Sequence, residues 1–204
     1  MLEFVSILVG YLLGSIPFAY IVTKMAKGVD IRDVDIGNMG AGAVIRTVGV
    51  RAGMVVAVGD IGKGFVAVMV AQYLDVGLFW LFAAGFAAIL GHCYPLYIGF
   101  RGGQGAATLS GVFLGTEPKA MGLTFLVIGL SLLINMRNRA SRRIFLSIVI
   151  AAPFLPVLVY AIYESVPMVL YSIALIGYVA FRNWRRLKHP KTITERLLGE
   201  TDEK

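Results

Sequence analysis

Runs of about twenty apolar residues, fenced by charge, most limit what this chain can fold into. A helix rising about 1.5 Å per residue needs roughly 20 such residues to cross a bilayer core, with 17–25 the working range. Phe4 to Val22 meets this, broken near its middle by Ser15 and Pro17, and is followed by Lys24 and Lys27. With no charged region before it and no small-residue cleavage site after it, it is expected to be a first span and not a signal peptide. Ala52 to Leu74 follows, with Asp60 and Lys63 near its start, and then Leu78 to Phe100. Ala120 to Met136, Ile144 to Tyr163 and Pro167 to Phe181 complete the long runs. Composition agrees: the chain is 58% hydrophobic and 15% charged, where a soluble domain holds about 45–50% apolar and about 25% charged residues. A water-soluble globular domain is excluded. The expected class is an all-α integral membrane protein, one domain over residues 1–204. Its 24 glycines, set among apolar residues, point to closely packed membrane helices.

One stretch decides the number of crossings. Gly102 to Thr116 is uncharged but short and rich in glycine. If it crosses, there are seven spans, and seventeen of the nineteen Lys and Arg residues fall on one side. They sit in the loops 24–51, 100–105 and 137–143 and in the tail 182–204. Positive charge accumulates on the cytoplasmic side. This predicts seven transmembrane helices with the N-terminus outside and the C-terminus in the cytoplasm. The net charge of +7 is thereby topology, and no nucleic-acid partner is expected. Membrane lipid is the expected surrounding partner.

Two cytoplasmic segments are unlike plain connectors. A loop as long as 24–51 is unusual in a compact domain unless it has a function. From Asp30 to Gly49 it mixes carboxylates, Arg32, Arg46, Asn38 and the glycines 37, 40, 42 and 49 with apolar residues able to re-enter the bundle. The second segment is Gly91-His92-Cys93-Tyr94-Pro95, followed by Phe100-Arg101-Gly102-Gly103-Gln104-Gly105. Glycines before a helix start expose backbone N–H groups beside partial positive charge. Arginine adds a planar fork that donates in pairs to phosphate. Together these make a candidate phosphate cradle.

Plainer readings stand beside this one. Gly102 to Gly105 also suits tight helix packing, and Arg101 suits contact with lipid headgroups. Asp60 and Lys63 lie three apart on one helical face, where they can neutralise each other. His92 fits a hydrogen-bonded structural role, His189 part of a solvated tail, and Cys93 a small buried residue. Ser15 beside Pro17 suits a broken first helix whose freed backbone groups need partners. With one cysteine and two histidines, a disulfide framework and a metal cluster are not expected.

Six patches then occur in order: Gly14-Ser15-Ile16-Pro17-Phe18-Ala19-Tyr20, Asp30-Ile31-Arg32, Gly37-Asn38-Met39-Gly40-Ala41 with Arg46-Thr47-Val48-Gly49, Asp60-Ile61-Gly62-Lys63-Gly64, Gly91-His92-Cys93-Tyr94-Pro95, and Phe100-Arg101-Gly102-Gly103. The chain resembles the bacterial acyl-phosphate–glycerol-3-phosphate acyltransferase family, PlsY, over most of its length, less so after about residue 115. The resemblance implies a seven-helix enzyme of the cell membrane with a cytoplasmic active site. It implies transfer of an acyl chain from acyl phosphate to the 1-hydroxyl of glycerol 3-phosphate without a cofactor; with an altered site, a related polyol phosphate is the other expected acceptor. Carried onto this sequence, the implied catalytic residues are Arg46, Arg101 and His189. Those implied to bind phosphate are Asn38, Gly37, Gly40, Gly102, Gly103, Gln104 and Gly105.

The departures are specific. The family pattern has Ser where this chain has Ile36, and Thr-Asn where it has Gly42-Ala43. It has Lys where this chain has Gln104, and Asn where it has Thr192. Each lost charged hydrogen bond to phosphate costs about 1.5–3 kcal/mol. Three functions therefore compete: the family reaction, with the same or an altered substrate; a silent member that binds lipid phosphates or a membrane partner; and a carrier of small organic phosphates. The carrier ranks last, since carriers hold substrate near the membrane midplane and the charges here gather at one face.

Overall fold

The computed structural model describes residues 1–34, 39–134, 147–148 and 150–188. The expected loop 137–143 and the tail from residue 189 lie outside them. The described residues are helical almost throughout. In chain order the helices are α1 (Leu2–Gly14), α2 (Phe18–Lys27), α3 (Ile31–Val34), α4 (Ala41–Thr47), α5 (Val50–Tyr73), α6 (Leu78–Cys93), α7 (Ala106–Thr116), α8 (Pro118–Ile134), α9 (Phe154–Tyr163) and α10 (Val166–Lys188). A short 3-10 turn, Leu96–Ile98, follows α6.

Four stretches among the described residues are long and apolar enough to cross a membrane: Leu2–Lys27, Val50–Tyr73, Leu78–Ile98 and Val166–Trp184. Ala106–Thr116, Pro118–Ile134 and Phe154–Tyr163 are apolar but shorter. Large apolar side chains face outward along the bundle, among them Phe4, Leu8, Val58, Phe79, Leu126 and Leu133. Water would penalise such a surface, whereas lipid tails accept it. The chain is an integral membrane protein, helical through its described residues.

The first span is broken where Ser15 and Pro17 suggested. Pro17 ends α1 and caps α2, because proline offers no N–H to continue the ladder. The Ser15 hydroxyl donates to the Tyr11 carbonyl at 2.8 Å. The freed Ile16 carbonyl accepts from Lys63 Nζ at 2.9 Å. A charge on α5 thus closes a gap in another helix.

Glycine allows the central helices to touch backbone to backbone, as the composition implied. A Cβ on Gly14 of α1 would meet the Ala88 carbonyl of α6, and one on Gly111 of α7 would meet the Ile61 carbonyl of α5. Without a hydrophobic force between helices in lipid, such close van der Waals packing carries much of the association.

Residues 24–51 are not a bare loop. Ile31, Met39, Ala43 and Val44 are buried and pack with Ala19 of α2 and Val56 of α5. The apolar residues re-enter the bundle, as their spacing allowed, and they do so as the short helices α3 and α4. Arg32 fastens this platform. Its Nη2 lies 2.6 Å from Asp30 Oδ2, and its Nη1 donates to the Ile98 carbonyl at 2.8 Å. The paired guanidinium holds the Asp30 carboxyl below its ordinary value, because a hydrogen-bonded cation favours the ionised form.

Candidate active site

Four pieces of chain converge at one end of the bundle: the break before α2, the residues leading into α4, the end of α6, and the glycine segment leading into α7. They enclose a cleft with room for about one water molecule, lined by Ile16, Pro17, Met39, Asp60, Lys63, His92, Pro95, Gly102 and Gly103.

Three ionisable side chains form its floor. Lys63 Nζ stands 2.8 Å from Asp60 Oδ1, and both side chains are 3% exposed. His92 Nδ1 approaches the same oxygen at 3.4 Å, without hydrogen-bond geometry. The i, i+3 spacing puts Asp60 and Lys63 on one face of α5, and α6 brings His92 against them. A buried charge is tolerable only when paired, and Asp60 and Lys63 pair with each other. Mutual neutralisation of Asp60 and Lys63 was one sequence reading, but the third member was not legible. Its signal was the pairing of a polar doublet in one apolar run with a terminal histidine in the next.

The glycine segment lies on this floor. The Gly103 N–H donates to the His92 carbonyl at 3.0 Å, so that donor is spent within the fold. A Cβ on Gly103 would meet His92 Nε2 and stand 2.8 Å from the Met39 carbonyl, while one on Gly102 would meet the His92 carbonyl. The packing reading of these glycines is therefore true of Gly102 and Gly103. It also brings the approach to α4 against the approach to α7. Gly105, at φ +89°, is left-handed, which suits glycine and aims the chain into α7.

The other expected residues are distributed around this core. Gly40 caps the start of α4. Arg46, in the last turn of α4, is exposed and lies back along the helix, with Nη1 3.7 Å from where a Cβ on Gly42 would stand. Arg101 is exposed on the connection just before Gly102, and Gln104 is half-buried. Gly37, Asn38 and His189, with the replaced positions Ile36 and Thr192, lie outside the described residues. Arg182 of α10 was not anticipated, yet its Nη2 donates to the Cys93 and Gly103 carbonyls at 3.0 and 3.3 Å. An arginine seven residues before a tail histidine looked like one more membrane-edge cation. Cys93 is buried, as expected of a small apolar side chain.

The family model described as glycerol-3-phosphate acyltransferase matches residues 4–193. The chain belongs to the glycerol-3-phosphate acyltransferase family. It is 37% identical over 195 residues to the glycerol-3-phosphate acyltransferase of Geotalea daltonii, covering 96% of this chain and 97% of the relative. The Geobacter sulfurreducens glycerol-3-phosphate acyltransferase is 40% identical over 191 residues, covering 91% and 94%. The fold matches the crystal structure of PlsY, an integral membrane glycerol 3-phosphate acyltransferase, in its glycerol 3-phosphate form. That match has a TM-score of 0.78 and 30% identity and covers 97% of this chain and 92% of that one. The lysophosphatidic acid form of PlsY matches with a TM-score of 0.74 and 31% identity, covering 96% and 98%. The family's integral membrane character agrees with the outward-facing apolar surface described above.

Proposed function

We propose that this chain is a membrane acyltransferase that moves an acyl chain from acyl phosphate to glycerol 3-phosphate, giving lysophosphatidic acid and inorganic phosphate. The observation that carries this reading is the contact between the approach to α4 and the Gly102–Gly105 segment. Both stretches hold glycines; Arg101 directly precedes the second, and Arg46 lies in the last turn of α4, the helix into which the first leads. Acyl phosphate is a mixed anhydride and needs no covalent nucleophile. The acceptor hydroxyl oxygen attacks the acyl carbonyl carbon, the bond from that carbon to the phosphate oxygen breaks, and phosphate leaves with the electron pair. The hydroxyl proton passes to the departing phosphate or to solvent. The protein's task is to hold two anions together, and orientation alone supplies several kcal/mol of such a barrier.

Arg46 and Arg101 are proposed to neutralise the phosphates, and His189 is proposed as a further catalytic residue. Asn38, Gly37, Gly40, Gly102, Gln104 and Gly105 are proposed to line the phosphate positions, and Gly103 to set the backbone course between them. The charge bias supports a cytoplasmic catalytic face, with seven spans and the N-terminus outside. The chain is read as one domain of the cell membrane.

Two experiments test this. Purified protein in detergent, given acyl phosphate and glycerol 3-phosphate, is expected to release phosphate and form one new ester. A correctly folded preparation without turnover rejects the reading. Gln104→Lys is expected to lower the KM for glycerol 3-phosphate about tenfold, the value of one charged contact, and an unchanged KM takes Gln104 away from the phosphate. For topology, Lys119→Cys is expected to react with an impermeant thiol reagent added outside spheroplasts, and Arg51→Cys only after lysis. Reaction of both from the same side removes the seven-span arrangement.

A further inference from the structure

The last helix holds the glycine segment by its carbonyls. Arg182 Nε and Nη2 donate to the Gly103 carbonyl at 3.4 and 3.3 Å. The same Nη2 donates to the Cys93 carbonyl at 3.0 Å, and the guanidinium lies 4.4 Å from the Tyr94 ring. The next residue, Asn183, donates from Nδ2 to the Gln104 carbonyl at 3.3 Å and to its own helix at Val179 at 2.6 Å. Two consecutive side chains of α10 thus take two consecutive carbonyls of the segment.

Peptide geometry turns this into an orientation. No described peptide bond is cis, and in a trans peptide the N–H points opposite to the carbonyl of the same plane. The Gly103 carbonyl shares its plane with the Gln104 N–H, and the Gln104 carbonyl with the Gly105 N–H. Drawing both carbonyls toward α10 therefore aims both N–H groups away from it. The His92 carbonyl holds the other end of the segment through the Gly103 N–H at 3.0 Å. The register of α10 is itself held, since Tyr171 stacks on Phe82 at 4.0 Å and donates to the Phe82 carbonyl at 3.1 Å. Tyr178 meets Phe86 edge-on at 5.2 Å. Tyr171, Tyr178 and Arg182 are spaced by seven and four, one stripe of a helix. Among the described residues Arg182 meets no carboxylate, so its full charge stays beside the segment.

We propose that Arg182, with Asn183, is the positioning pair that sets the glycine segment to bind phosphate. This rests on the reading of Gly102–Gly105 as a phosphate site. Arg182→Gln is expected to raise the KM for glycerol 3-phosphate and the inhibition constant of inorganic phosphate about tenfold, with kcat within threefold. Arg182→Lys keeps the charge but loses the fork, and is expected to fall between. Asn183→Leu, which leaves Arg182 in place, is expected to raise the same KM by a smaller factor, and serves if Arg182→Gln does not fold.

Equal KM and inhibition constants in wild type and variants overturn the proposal, as does a loss confined to kcat. Thermal stabilisation by inorganic phosphate, measured in parallel, separates the two ideas. If the wild type turns nothing over yet is stabilised by phosphate and Arg182→Gln is not, the pair stands and acyl transfer falls. Stabilisation that is absent from the wild type, or equal in both, overturns the pair.

Discussion

Lys63→Met is expected to destabilise the folded protein by about 3–5 kcal/mol, the usual cost of removing one partner from a buried ion pair. The size follows from the surroundings. Asp60 and Lys63 are each 3% exposed and 2.8 Å apart, and the same Nζ caps the Ile16 carbonyl in the broken first helix. Methionine keeps the length of the side chain and removes both services. Among the described residues, Asp60 would then face only His92, at 3.4 Å. The double variant Asp60→Asn/Lys63→Met removes the stranded charge and is expected to recover at least half of the loss, the remainder reporting the Ile16 contact. Denaturant-driven unfolding in detergent, followed by circular dichroism, measures both. Equal stability of Lys63→Met and wild type would show that the pair contributes nothing to the fold.

Gly103→Ala should cost the most activity for the smallest chemical change, with kcat/KM falling about a hundredfold, the order that a displacement near 1 Å produces in a positioned site. The added methyl would meet His92 Nε2 and sit 2.8 Å from the Met39 carbonyl. Neither neighbour has room to swing aside, since one is a buried ring packed against Asp60 and the other is backbone. The segment must lift from its floor, parting the approach to α7 from the approach to α4. Gly62→Ala is the matched control, on α5 beside the ionic cluster but with nothing within 4 Å of its added Cβ. Alanine is the better helix former by about 1 kcal/mol, so that variant is expected to keep full activity and gain stability. Retained activity in Gly103→Ala would show that the contact between these helix approaches is dispensable.

Much of this was legible before any coordinates. Apolar runs of membrane length mark an integral membrane protein, because an unpaired backbone group in lipid forces the chain into helices whatever the residues around it. The break at Ser15 and Pro17 was readable because proline acts on its own helix. So was the burial of residues in 24–51, because apolar side chains on a polar connector must find cover. The order of the six patches carried the family. The internal grouping of the site was not legible. Asp60 and Lys63 are neighbours on one helix and suggest each other, but His92 is twenty-nine residues from Lys63 and joins them only because α5 and α6 pack side by side.

Arg182 shows the same division more sharply. In the chain it is one of several cations closing the last span, and positive charge at a membrane edge needs no further explanation. Its role appears only when α10 seats against α6 and brings it to carbonyls seventy-nine and eighty-nine residues away. The residues alone settled class, family and chemical vocabulary, since solvent and local geometry act on each segment separately. Which cation meets which carbonyl was decided by helix packing, since such contacts depend on distances between segments that no local pattern encodes.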